Sequence, residues 1–404
     1  MKNLYHSDIY KFNTPVKSYW EETSNEKLNL EKLTKNINCE IVVVGGGYTG
    51  LLCAINLIEN YNLDVILIEA GKIGWGASSR NGGFCSFPPI KTSFKKLQKI
   101  YGKEETKKFF RNAVEGSNYT KDIISNYNID CDVTGESNFI VAHHPNKFKQ
   151  IKEQAEVYKS EFGIETELYS KEEFNKFGHG GNEQFGALSY KPGFAINPLK
   201  FVNGITKYAL SKKLKIFEHT LVDKINKNNG YYTLKSKEGS VKAKKVVVAT
   251  NGFYQEGLVP QLNSRILPVI SNIIVTRKLA DKEIDLHNFK TFSPIVNTKN
   301  LLYYYRKLPD NRILFGTRGD YIGSDQSNLD RAKIMEKFFK NIFPDWASIS
   351  IDYNWRGLIA MSQKLTPSIG KIENEEIYYG FGYHGVGVSS APWTGNQLSK
   401  LVFS

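Results

Sequence analysis

The chain has 404 residues and a formal charge of +13, with 41% hydrophobic and 13% aromatic content. That is more than one simple nucleotide-binding fold needs and enough core for two or three domains, and the balance excludes a long disordered segment. No run of about eighteen apolar residues occurs and residues 1–20 hold no apolar stretch, so neither a membrane span nor a secretory signal is expected, which leaves the cytoplasm.

The basic excess admits an anionic partner such as RNA or a membrane surface, but the lysines are spread along the chain, and a solvated surface without nucleic acid is the expectation. Cys39, Cys53, Cys85 and Cys131 form no C-x-x-C pair and do not cluster with the seven histidines, so neither a metal site nor a disulfide framework is expected.

In chain order, residues 1–35 contain Tyr19-Trp20-Glu21, too aromatic for a free tail, and predict an arm packed on the body. Ile41-Val42-Val43-Val44 is an unbroken β-branched run, as in a parallel strand covered on both faces. Gly45-Gly46-Gly47-Tyr48-Thr49-Gly50 follows at once as G-x-G-x-x-G. Gly45 permits the tight turn, Gly47 lets backbone approach a pyrophosphate, and Gly50 lets the next helix pack closely on its strand. Leu51, Leu52, Ile55 and Ile58 give that helix an apolar face, and the strand Val65-Ile66-Leu67-Ile68 ends at Glu69, placed to accept from an adenosine ribose. At this point NAD and FAD are both open.

The loop 71–83 carries Gly71, Gly74, Gly76, Gly82 and Gly83, which implies backbone pressed against something flat or charged. Helices are predicted over 95–101, 104–127 and 146–162, and another from Asn197-Pro198 to about 212, with Pro198 suited to its first turn. Strands follow over 215–218, 231–234 and 240–248, the last running into Ala249-Thr250-Asn251-Gly252. From 265 to 349 strands dominate, at 271–277, 301–306 and 313–317, with one helix near 330–341. The C-terminal part has a strand at 377–379, a glycine turn over 380–387, and a helix to about 402 with Pro392 in its first turn.

Ser18-Tyr19-Trp20, the glycine turn with Leu51, and Gly74-Trp75-Gly76-Ala77-Ser78-Ser79-Arg80-Asn81-Gly82-Gly83 together resemble the D-amino-acid oxidase-like superfamily of FAD-dependent oxidoreductases, most of all its gamma-glutamylputrescine oxidase-like branch. The resemblance spans nearly the whole chain. It implies an α/β fold with an α+β second domain. A Rossmann-like FAD-binding domain would take 36–90, 187–264 and 350–404, and a discontinuous substrate domain on an antiparallel sheet would take 91–186 and 265–349. It also implies that Gly45, Gly47, Tyr48, Thr49 and Gly50 hold the FAD pyrophosphate, Glu69 the ribose, and backbone near Val222 the adenine. Ala77, Ser78, Arg80, Asn81, Gly82 and Gly83 would run along the isoalloxazine ring, and Thr250, Asn251 and Gly252 would form a second nucleotide-side turn. Gly370, Gly382, Tyr383, Gly385 and Val386 would lie at the pyrimidine end, where a helix N-terminus stabilises the charge of the reduced ring. This chain has Ser79 where many relatives have Gly, and Val386 in a stretch where relatives often show Ser-Gly-His-Gly. The first loop has no His and the last cysteine is Cys131, so noncovalent FAD is expected.

The activity so implied is oxidation of a C–N bond of an amine or amino-acid derivative, by hydride transfer to flavin N5 and hydrolysis of the imine, with O2 or another carrier as electron acceptor. The protein must then supply a neutral amine and a clamp for the substrate's polar groups. His384, in the glycine turn, is the first catalytic candidate, against a histidine merely bonded to backbone. Arg318 and Arg306, each at a strand end, could hold a carboxylate, against surface or structural ion pairs. Arg80 faces the flavin or braces the loop. Tyr303, Tyr304 and Tyr305 alternate across a sheet, so one or two could wall the cavity. The competing readings are a demethylating flavoenzyme for N-methylglycine derivatives, an RNA-binding or tRNA-modifying flavoprotein, and an NAD(P)-binding protein without flavin, which leaves the C-terminal glycine turn without a role.

Overall fold

A computed structural model describes residues 4–24, 26, 28–87 and 93–404. Its centre is a six-stranded sheet in the order Ser368–Lys371, Ile377–Phe381, Lys245–Val248, Ile41–Val44, Val65–Ile68, Lys215–Phe217, parallel except for the first pair. The β-branched run at Ile41–Val44 reads as a buried strand because both its faces are covered. Ile41 and Val43 join a core with the helices Tyr48–Tyr61, Pro198–Ser211 and Gly387–Phe403, while Val42 and Val44 join one with the four-stranded sheet of Asn36–Asn38, Ser240–Ala243, Tyr231–Lys235 and Lys224–Asn228.

An eight-stranded sheet forms the other half, ordered Ile351–Ser362, Ile266–Thr276, Ile313–Arg318, Tyr303–Lys307, Ile295–Asn297, Asn138–Val141, Ala187–Tyr190, Thr166–Tyr169. It is antiparallel as expected, except that Ile295–Asn297 runs parallel to Asn138–Val141. Period-two alternation sorts the tyrosines. Tyr303 and Tyr305 pack with Phe339 of the helix Asp325–Ile342 on one face, and Tyr304 points to the opposite face.

The structure departs from the expected segments at two domain boundaries and within one strand. The strand Ile351–Ser362, assigned from sequence to the nucleotide side, pairs along its length with Ile266–Thr276 and is the edge of the large sheet. Ala187–Tyr190 likewise lies in that sheet, between Asn138–Val141 and Thr166–Tyr169. The stretch 240–248 is two strands in two sheets, split at Lys244, where the N–H groups of Lys244 and Lys245 both donate to Glu40 O at 3.0 and 3.1 Å. The expected boundary at 90/91 lies outside the described residues.

The helix expected at 330–341 begins earlier, at Asp325, because Ser324 caps it by accepting from Ser327 N. The last helix begins at Gly387, so Pro392 lies inside it rather than in its first turn. Proline cannot donate to the carbonyl four residues back. Thr120 Oγ1 donates to that carbonyl, Val388 O, at 3.0 Å, so the interior proline leaves no orphaned acceptor. The arm packs as expected, with Tyr19 and Trp20 buried against Trp355, Ile273 and Val275 of the large sheet. Among the described residues no helix is long and apolar enough to cross a membrane.

Candidate functional site

One cavity of about 410 Å³ lies between the two large sheets. The end where a nucleotide is expected from sequence is built largely from backbone. Gly45 has φ +114°, and a Cβ there would come within 2.6 Å of Ala249 O, so no side chain fits. A Cβ on Gly47 would meet Ser78 Oγ at 2.8 Å. Gly50 does not line the cavity. A Cβ there would fall well inside the radius of Gly45 O, which is the close helix–strand contact its spacing predicts. The helix Tyr48–Tyr61 starts here with no side-chain cap on Gly47, leaving an N-terminus that faces the cavity through Tyr48 and Thr49.

Glu69 lines the same end. Its carboxylate accepts from Gly46 N at 2.7 Å and Gly71 N at 2.9 Å. Burial raises its pKa against the lowering effect of those bonds. A carboxylate has about four acceptor sites, so roughly two stay open to ribose hydroxyls. Thr220, Leu221 and Val222 continue the wall.

The middle is the loop expected along the flavin. Ala77, Ser78, Arg80, Asn81 and Gly82 line the cavity, whereas Gly83 packs against Ile196 O. Two buried indoles hold this loop: Trp20 Nε1 donates to Asn81 O at 3.0 Å and Trp355 Nε1 to Arg80 O at 2.7 Å. Arg80 lies 4.3 Å from the Trp75 ring centroid, and its guanidinium donates to the carbonyls of Trp75, Gly76 and Arg356. That is a brace made of carbonyls, with no carboxylate within ion-pair distance among the described residues, and burial pulls its pKa down to about 9.

Arg306 is corrected as a substrate clamp. It does not line the cavity; it is buried beside the Trp20 ring and donates to Ile196 O at 2.7 Å. The reason is distance along the strand, since Tyr304 and Arg306 share a face but the arm covers the position of Arg306. Arg318 does line the cavity. Its Nη1 is buried with no hydrogen-bond partner, and no carboxylate lies within ion-pair distance of it among the described residues.

Beside Arg318, Tyr304 OH lies 2.9 Å from Ser271 Oγ, which donates to Thr317 O at 3.1 Å. Burial raises the Tyr304 pKa to about 12, so the hydroxyl keeps its proton. Room for the ring comes from Gly316, directly across the ladder, where any Cβ would overlap it. Leu302, Val296, Ile273, Gly357 and Ile359 complete an apolar wall.

His384, with φ +52°, faces the cavity from the C-terminal turn. Its Nε2 lies 3.3 Å from Ser362 N and 3.1 Å from Ser362 Oγ, and burial lowers its pKa, favouring neutral imidazole. Tyr383, Gly385, Val386 and Gly387 line the wall beside it, leading into the Gly387–Phe403 helix, which has no side-chain cap. Thr250 and Asn251 face the cavity from the neighbouring turn, Thr250 Oγ1 being buried without a partner. Asn251 Oδ1 accepts from Gly382 N at 3.0 Å and ties the two turns together.

Three more expected residues stand behind the wall. Gly252 packs against Leu358, Gly370 against the Tyr379 ring, and Gly382 against Ser362. Sequence reasoning missed Ser271 and Lys96 on the wall and the bracing role of Trp20. Period-two alternation from Ile273 would have found Ser271; nothing local marks Lys96. None of the four cysteines lines the cavity, and the described residues hold no group of three or more His, Cys, Asp or Glu able to bind a metal.

The wall fits a dinucleotide joined to a flat ring. A glycine cradle meets a helix N-terminus, a carboxylate keeps free acceptor sites, an orphaned hydroxyl sits at Thr250, and a second uncapped helix lies beyond. The family model described as DAO, FAD dependent oxidoreductase, matches residues 40–401. Gamma-glutamylputrescine oxidoreductase of Escherichia coli (strain K12) is 29% identical over 389 residues, 95% of this chain and 88% of that protein. Glycine oxidase of Bacillus subtilis (strain 168) is 24% identical over 380 residues, 90% of this chain and 93% of that protein. The crystal structure of glycine oxidase from Geobacillus kaustophilus superimposes with a TM-score of 0.74 at 16% identity, covering 91% of this chain and 95% of that one.

Proposed function

The chain belongs to the FAD dependent oxidoreductase family, and on that premise we propose that it oxidises a C–N bond of an amine or amino-acid derivative whose acidic group is seated on Arg318. The observation that carries this reading is the buried, unpartnered Nη1 of Arg318 on the wall of the cavity. A buried donor without an acceptor is costly, and a substrate carboxylate would satisfy it.

FAD, when bound, supplies a hydride acceptor at N5 for the carbon that bears the nitrogen. Gly45, Gly47, Tyr48 and Thr49 would hold its pyrophosphate, Glu69 its ribose, and Thr220 to Val222 its adenosine. The turn at 383–387 would meet its pyrimidine end with the N-terminus of the following helix. No cysteine lines the cavity, which supports noncovalent FAD.

Arg318 would orient the substrate, and the Tyr304 ring, whose hydroxyl proton goes to Ser271 Oγ, would wall the cavity beside it. Ile273, Leu302 and Ile359 keep water from the reacting carbon. His384, held neutral by burial, spends its Nε2 lone pair on Ser362 N and fixes the C-terminal turn, so the substrate amine would have to bind in its neutral form for the nitrogen lone pair to assist loss of hydride. Among amines, a gamma-glutamylputrescine-like compound is the first to assay, supported by the Escherichia coli relative.

The test is anaerobic bleaching of the flavin in the purified, FAD-loaded protein by a panel of amines and amino acids. Arg318→Met is expected to raise the half-saturating substrate concentration roughly 30-fold or more while FAD content stays unchanged. Absence of bleaching across the panel, or equal loss of FAD and of substrate binding in the variant, would overturn the proposal.

A further inference from the structure

Lys96 lines the same cavity as Arg318, from the helix Phe94–Tyr101. This helix is fixed in place. Leu97 is buried in the core that also holds Val296, with Phe84 and Tyr304 packed against it. Phe94 packs edge-on against Phe110 and Phe162, and Tyr101 OH donates to Lys364 O, in the turn that also supplies Leu365 to the wall. Lys96 is exposed, so it stands where the cavity opens to solvent.

The charges on this wall are one-sided. Among the described residues Glu69 is its only carboxylate, and it lies at the end formed by Gly45 and Gly47. Arg80 is committed to backbone carbonyls. Arg318 and Lys96 remain, and neither has an ion-pair partner among the described residues, whereas Lys107, on the next helix, pairs with Glu161 at 2.7 Å. Arg318 is half-buried with its Nη1 out of contact with solvent, Lys96 is exposed, and apolar residues such as Ile273, Val296 and Leu302 share the wall with them.

We infer that the substrate carries two acidic groups, an inner carboxylate seated on Arg318 and an outer one read by Lys96, as in a dicarboxylic amino acid or an N-carboxyalkyl amino acid. The inference rests on Arg318 as the inner seat. Lys96 is a specificity-determining residue at the far end of the substrate and takes no part in the transfer of hydride. A solvent-exposed ammonium contributes modestly, so the selectivity it adds is about two- to fivefold and weakens with salt.

The experiment uses the FAD-loaded enzyme and unreactive acids that perturb the flavin absorbance on binding: the straight-chain dicarboxylates from succinate to pimelate, each against the monocarboxylate of equal carbon number. At least one diacid is expected to bind more tightly than its monoacid. Lys96→Gln should erase that preference, Lys96→Glu should reverse it, and Lys96→Arg should restore it. Equal binding of both series, or a preference untouched by Lys96→Gln, overturns the inference and leaves a monocarboxylate such as a gamma-glutamyl amine as the better fit. Arg318→Met separates the two proposals, because it should weaken both series alike. If it weakens neither, the inner seat is wrong, and the outer assignment falls with it.

Discussion

At the end of the cavity formed by Gly45, Gly47 and Glu69, the contacts come from backbone placed by residues within one βαβ unit. At the end formed by Ser271, Tyr304, Arg318 and His384, they come from side chains on three strands and a turn spread over more than a hundred positions. The first end tolerates no added atom, since Gly45 and Gly50 are packed backbone to backbone. The second is an apolar wall on which Arg318 Nη1 is left unmatched. Steric necessity fixes the shape of the first end, and an unmatched donor leaves the second open to a partner.

The largest effect expected from breaking this contrast is at Gly50. Gly50→Ala should force the helix Tyr48–Tyr61 off its strand, costing about 3 kcal/mol or more, with FAD lost on purification; thermal unfolding and the flavin-to-protein absorbance ratio would show it. A Gly50→Ala protein with full flavin and unchanged melting would mean that the two backbones part easily. Arg318→Met should do the opposite, sparing flavin and stability while substrate binding falls.

A smaller effect concerns acid. His179, buried in the core behind the large sheet, lies 2.9 Å from Tyr305 OH, and its pKa is lowered from 6.5 to about 4 by burial. Because the folded state holds this proton less tightly than the unfolded one, stability is lost as pH falls below the unfolded value towards the folded one. Between about pH 7 and about pH 5 that loss is roughly 2 kcal/mol. His179→Phe should flatten the slope of melting temperature against pH over this window, and an unchanged slope would place the acid sensitivity elsewhere. Glu69 has the opposite sign, since a raised carboxyl pKa costs stability as pH rises through it.

The smallest is Trp20→Phe, which keeps the packing of the arm but removes the bond to Asn81 O, for about 1 kcal/mol. Its sign at the cavity matters more than its size. If the loop at 80–83 serves the flavin alone, flavin fluorescence should change with little change in substrate selectivity; a selectivity change as well would join the arm to the substrate end.

The nucleotide end was legible from sequence because its information is local. The strand, the glycines and Glu69 are bound to one another by chain connectivity, and the helices at 103–126 and 145–162 follow from hydrophobic period alone. Boundaries were less legible where pairing partners are remote. Nothing within 351–362 says that it pairs with 266–276 rather than with the parallel sheet, and nothing within 240–248 says that Glu40 O breaks it in two. Arg318 and Arg306 look alike in sequence, each closing a run of strand residues. Only the arm, packed across the Arg306 side of the sheet, separates a cation facing the cavity from one sealed beneath Trp20.

By itself the sequence determined the βαβ unit, its dinucleotide chemistry and the presence of a second sheet, since these depend on spacing, period and the conformational demands of glycine. Tertiary structure alone decided which polar groups are left without partners at the cavity, because satisfaction of a side chain is a property of everything that packs around it. The same fold that spends Arg80 on three carbonyls leaves Arg318 and Lys96 for the substrate.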